Sequence, residues 1–306
     1  MSSVLVGTED GVVALGTDGE RRSELEGRPV RALTRDRDEW WAIVDTRTVV
    51  RRDPGGAWHD VAVSDQVLTC LSPAPEGAHV GTGDARLLRL FRGSFAPVEG
   101  FDDVEGRDTW HAVGSRTPYV RSITATVGGV LLAGVHVGGI PRSANGGATW
   151  SPTIDVDADV HEVRAHPADP QLVMAAAAVG LAESRDGGVT WDVHTDGLHA
   201  TYLRAVAFPR SCVVLSASDG PFGGKSALYR RPLDGGRLER CRDGLPEWLA
   251  GNVDTGCLDA GRRAGVRSMV AFGDADGTVY VSADDGGSWN VLAQGLGRIA
   301  AVGVQA

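Results

Sequence analysis

The sequence predicts an all-β fold, a seven-bladed β-propeller of four-stranded blades in which the C-terminal strand closes the N-terminal blade. Three observations predict it. A turn octamer recurs along the chain, seven strand pairs can be aligned, and the last residues have the pattern of a strand that the first pair lacks.

The octamer is clearest as SANGGATW at 143–150, SRDGGVTW at 184–191 and SADDGGSW at 282–289. A fourth copy, RRDPGGAW at 51–58, keeps Asp53, Gly55 and Trp58, while LYRRPLDGG at 228–236 keeps only a strand and turn. Its chemistry is that of a tight hairpin. The Asp or Asn accepts backbone N–H groups, glycines take positive φ, and the Trp packs beneath the loop. These residues therefore read as fold staples, and Trp150, Trp191 and Trp289 are expected to be buried.

The strand pairs lie at 3–16, 40–52, 77–90, 129–143, 172–184, 212–231 and 269–282, so 306 residues leave just under 44 for each of seven units. That length suits a propeller blade. A further strand precedes six of the pairs, at 28–33, 65–71, 118–123, 159–165, 201–206 and 254–258. Nothing precedes the first pair, and residues 298–304 are expected to supply its missing strand, removing an exposed sheet edge. A single domain over 1–306 follows.

Composition narrows the class further. The formal charge of -10 argues against nucleic acid or an anionic membrane as a partner, since both favour a basic face. The 42 glycines carry no Gly-X-Y period, which excludes a collagen-like chain. The opening residues read as strand and turn and not as a secretory signal, and the apolar run at 172–182 is too short to span a bilayer. Cys70, Cys212, Cys241 and Cys257 form no CxxC pair, so free thiols in a reducing cytoplasm are expected.

With these octamers, the chain resembles along its whole length the Asp-box, or bacterial neuraminidase repeat, propellers. That group includes sialidases, the sortilin ectodomain, xyloglucanases and photosystem II assembly factors. The resemblance implies the fold and leaves function open among hydrolases, receptors and assembly factors. Sialidases of the group are six-bladed and place an Arg-Ile-Pro motif ahead of the first Asp-box. Here Gly139-Ile140-Pro141-Arg142 stands directly before an octamer, and seven blades are counted, so sialidase activity is not expected.

The octamers should occupy one face, leaving the opposite face to longer loops at 101–118, 152–160, 216–226 and 241–253. Arginine recurs on the first strands, at Arg31, Arg121, Arg164 and Arg204. Guanidinium groups at one repeat position suit an anion, so these four with Asp254 form the expected ligand-binding set, over blades four to seven. The bland alternative pairs them with Glu162, Asp254 and other acids. The ligand classes considered are an anionic small molecule, a glycan and an acidic peptide.

Histidines supply a second function class. His111, His136, His161 and His199 fall on or beside the long-loop face and form a candidate set for a divalent metal. His136, His161 and His199, with Tyr119 and Tyr202, are the candidate catalytic residues of a hydrolase or lyase. Their spacing is not that of a metal motif, so convergence depends on the fold.

Overall fold

The computed structural model describes residues 3–112, 117–261 and 268–305. Among them the strands form seven four-stranded antiparallel sheets, and the fold is a seven-bladed β-propeller. Helical structure in the described residues is confined to short 3-10 turns at Glu99–Phe101, Arg107–Thr109 and Val156–Ala158. No helix there is long and apolar enough to cross a membrane.

The chain divides into two compact units, Met1–Leu33 with Thr195–Ala306, and Thr34–His194. The first holds blades 1, 6 and 7. In blade 1 the strand order is Ile299–Gln305, Ser3–Thr8, Gly11–Gly16 and Arg21–Glu24. Val304 stands opposite Val4 and Val302 opposite Val6, which is the expected closure. Blades 6 and 7 begin with Tyr202–Ala207 and Leu258–Gly261. The core of this unit gathers Val4, Leu228, Phe272, Trp289 and Val302.

The second unit holds blades 3, 4 and 5, which begin with Leu68–Ala74, Val120–Ala125 and Val160–Ala165, and blade 2 from Thr34 onward. One of its cores sets Phe101 edge-on to Trp150 at 5.0 Å, and another packs Leu132, Ile140, Val160 and Val173. Second strands such as Leu131–Val135 and Val173–Ala177 are buried at every residue. Both of their faces are covered, so the sequence shows an unbroken apolar run where a half-exposed strand would alternate.

Each octamer joins the third and fourth strands of its blade. At 184–191 the Ser184 hydroxyl accepts the Gly188 N–H at 2.8 Å and donates to Asp186 Oδ1 at 2.7 Å. Asp186 Oδ1 also accepts the N–H groups of Val189 and Thr190, and Thr190 Oγ1 donates to Asp186 Oδ2 at 2.6 Å. Ser282, Asp284, Gly286 and Ser288 repeat the pattern. Asn145 does so with its amide. Burial works against the Asp186 and Asp284 carboxylates, but these donated bonds outweigh it and hold both below the ordinary carboxylate range. Trp150 and Trp289 are buried as expected. Trp191 departs from expectation: it is only half-buried, packing against the Leu132 and Ile140 cluster while its Nε1–H donates to Thr153 Oγ1 at 3.0 Å.

How successive blades meet fixes the repeat register. A Cβ on Gly7 would lie 2.5 Å from Val30 Cγ1, one on Gly81 2.7 Å from Val120 Cβ, and one on Gly273 2.6 Å from Ile299 Cδ1. Glycine is thus the residue that lets a second strand approach the next blade's first strand. Gly134 faces Val160 in the same way, at 3.4 Å. The residues after these apolar contacts are Arg31, Arg121, Ala300 and His161. Ladder irregularities recur at or beside this position, skipping Thr69, Arg121, His161 and Ala300 and spanning Arg204. A bulge of this kind re-aims one side chain near the start of each of these five strands.

Blade 5 therefore corrects the sequence alignment. Its repeat position carries His161, and Arg164 stands three residues further along the strand.

Candidate functional site

Two polar clusters stand at the ends of the first strands, one in each unit, away from the octamer hairpins in their own sheets. The cluster in the second unit joins blades 4 and 5. His136 follows the second strand of blade 4, at the head of a turn closed by the Val135 to Gly139 bridge. The turn forces Val137 to φ 42°, a costly conformation for a β-branched residue. Asp159 ends the 3-10 turn Val156–Ala158 at φ 48°, and His161 follows it at the blade 5 bulge.

These three side chains meet. His136 Nε2 lies 3.4 Å from Asp159 Oδ1, and His161 Nε2 lies 3.4 Å from Asp159 Oδ2. The His161 side chain is 0% exposed, that of His136 9% and that of Asp159 14%, so the carboxylate has little access to water. Burial raises the cost of its charge, but the imidazoles of His161 and His136, with Arg121, outweigh that cost and keep its pKa below the ordinary value. The Tyr119 ring tilts against His136 at 4.9 Å. Arg121 Nη1 donates to the Tyr119 hydroxyl at 3.2 Å.

Arg164 turns to Glu162, with Nε 3.0 Å from Oε1. Glu162 is buried, so this pair answers the expectation of a partnering acid and commits Arg164 locally.

The cluster in the first unit is built on Tyr202–Ala207. Arg204 Nη2 donates to the Tyr202 hydroxyl at 3.3 Å and to the Pro221 carbonyl at 3.2 Å, while Nη1 lies 3.2 Å from Asp254 Oδ1. Burial alone would lower the pKa of this guanidinium, but Asp254 and Tyr202 reverse that and raise it. Asn252 Nδ2 donates to the carbonyls of Gly220 and Pro221, tying together the two long loops at 216–226 and 241–253. Phe222, beside Pro221, is 98% exposed.

The remaining candidates make other contacts. Arg31 is exposed, second in its strand. His111 is exposed, its Nδ1 3.2 Å from the Thr109 carbonyl. His199 lies in the first unit, with Nε2 3.2 Å from the Lys225 carbonyl and Nδ1 2.8 Å from the Tyr229 hydroxyl. A carbonyl only accepts, so Nε2 carries the proton and Nδ1 accepts from the phenol. Both ring nitrogens of His199 are thus engaged, and it joins neither the His136 cluster nor the four-histidine metal set expected from sequence. His111 likewise stands outside that set.

Sequence reasoning missed Asp159. The signal was available in the order Asp159-Val160-His161, since residues two apart at a strand start share a face.

No protein-family model matches the chain, and no curated protein does. Solved structures do. An ancestral GH74 enzyme matches with a TM-score of 0.62 at 14% identity over 90% of this chain, which spans 38% of that enzyme's length. Virginiamycin B lyase from Staphylococcus aureus matches with a TM-score of 0.61 at 10% identity, over 90% of this chain and 86% of that one. YCF48 bound to D1 peptide matches with a TM-score of 0.57 at 13% identity, over 92% and 87%. At such identities the likeness establishes the propeller fold and nothing finer.

Proposed function

We propose that the chain is a binding propeller for an acidic peptide, of the Asp-box group its octamers resemble, and that each unit carries its own carboxylate contact, Tyr119 with Arg121 in one and Tyr202 with Arg204 in the other. The observation that carries this reading is the repetition of one device. In both units a tyrosine two residues before a bulge arginine holds its guanidinium by the phenol oxygen. A phenol on one edge fixes the direction in which the remaining N–H groups face, and oriented guanidinium groups pair well with carboxylates. The solved YCF48 complex with a peptide is consistent with a peptide as the occupant.

The test is fluorescence anisotropy with a panel of labelled peptides rich in Asp and Glu, each beside its Asn and Gln counterpart. Acidic peptides should bind, more weakly as salt rises, and the neutral counterparts should not. Equal binding of the two series defeats the reading.

A second reading, a hydrolase or lyase, has the His136, Asp159, His161 and Tyr119 cluster in its favour, since imidazoles held by a buried carboxylate can serve as acid or base. Turnover lost in His136→Gln, with peptide binding intact, would support it.

A further inference from the structure

The structure assigns a second binding capacity to this chain, independent of the peptide reading: we infer that His136, Asp159 and His161 bind a divalent transition metal of the zinc class. The donor atoms of the three lie within 4.8 Å of one another, and no other such group of His, Cys, Asp and Glu occurs among the described residues.

The distances fit. Zinc bonds of about 2.0 to 2.2 Å at tetrahedral angles put neighbouring donor atoms about 3.4 Å apart. Each imidazole Nε2 stands 3.4 Å from a carboxylate oxygen. A charge-assisted hydrogen bond between the same groups would close to about 2.7 to 2.9 Å. Asp159 Oδ1, buried, accepts no hydrogen bond at all. The spacing of the carboxylate oxygens from the two imidazole nitrogens is that of donors arranged around a shared cation.

The donor chemistry selects the metal class. Two nitrogens and a carboxylate suit zinc and its first-row neighbours, while magnesium and calcium require oxygen shells. Three protein donors leave a coordination position open, as in zinc sites that take up water or a ligand. The backbone also prepares the site. Asp159 sits at positive φ, His136 immediately precedes Val137 at positive φ, and His161 is turned by the strand bulge. All three donors are therefore presented by irregular backbone, where strain is retained only under constraint from surrounding packing.

Metal titration of the purified chain tests the assignment, using Co2+ followed by its visible absorption and Zn2+ followed by elemental analysis and thermal shift. One Co2+ should bind per chain, with Zn2+ displacing it and raising the melting temperature until a chelator is added. Asp159→Asn and His136→Gln should weaken binding at least tenfold, and His111→Gln should leave it unchanged. Absence of metal uptake by the wild-type chain, or unchanged affinity in either folded variant, would overturn the site. His136 is used alongside Asp159 because His161 is wholly enclosed, and circular dichroism of each variant separates loss of ligand from loss of fold.

Discussion

The Asp254 carboxylate lies 3.2 Å from Arg204 Nη1 and is 44% exposed, whereas the Arg204 side chain is 17% exposed. The acid is thus the more accessible member of the pair, in the position a ligand carboxylate would take. Asp254→Asn should tighten binding of an acidic peptide, because it removes a competing charge and keeps the shape. Arg204→Met should weaken binding by about 1.5 to 3 kcal/mol, the range for a hydrogen bond to a charged group. Isothermal titration of both variants checks the opposite signs, and a shared sign refutes this use of the pair.

Arg121 and Arg164 are separable. Arg121→Met should weaken peptide binding with little effect on folding. Arg164→Met should act on stability instead, costing about 1 to 3 kcal/mol, since it leaves the buried Glu162 carboxylate without its guanidinium. Urea unfolding beside peptide binding distinguishes the two.

The tryptophans should rank by burial. Trp289→Ala, which empties a site packed against Phe272 at 5.0 Å, should cost about 3 to 5 kcal/mol. Trp191→Ala, half-buried and held by one hydrogen bond, should cost about 1 to 2 kcal/mol. Chemical denaturation would refute the ranking if Trp191→Ala proved the costlier.

Acid should loosen the octamers. Asp186 and Asp284 have folded pKa values depressed below the unfolded value, so their contribution is complete above it and is lost as pH falls below about 4. Asp186→Asn should flatten the decline of melting temperature between about pH 5 and pH 2. The turn itself should survive, because Asn145 already serves in that role. An unchanged pH profile would contradict the linkage.

Burial pushes the Cys241 thiol up to about 11. At pH 8 about one molecule in a thousand then carries its thiolate. Thiol titration should therefore release colour slowly from the native chain and at once in denaturant; rapid native reaction at Cys241 would contradict its enclosure.

Much of this fold was legible because its punctuation is local. The Ser, Asp, Gly and Trp of each octamer satisfy one another within eight residues, so the hairpin can be read without knowing what packs on it. Register between blades is another matter. The string Val163-Arg164-Ala165 matches Val120-Arg121-Ser122 by type, yet Gly134 and the bulge at His161 align Val120 with Val160. Only packing against the preceding blade distinguishes the two alignments. The His136 cluster was half legible for the same reason: its histidines were visible, but Asp159 acquires meaning from a turn in one blade facing a bulge in the next.

The pairing of Ser3–Thr8 with Ile299–Gln305 has a consequence for synthesis on the ribosome. The Ser3 and Gln305 side chains meet across 302 positions of chain, so blade 1 must wait with an open flank until residues 299–305 have been synthesised. The other blades have no such delay, since each is contiguous in sequence. Loop closure over that span is entropically slow, and an unpaired strand edge is the part of a nascent chain most able to recruit another. Refolding yield should accordingly fall with protein concentration, and a circular permutant that begins at Ile299 and continues through Ser3 should escape the penalty by making its closing hairpin first.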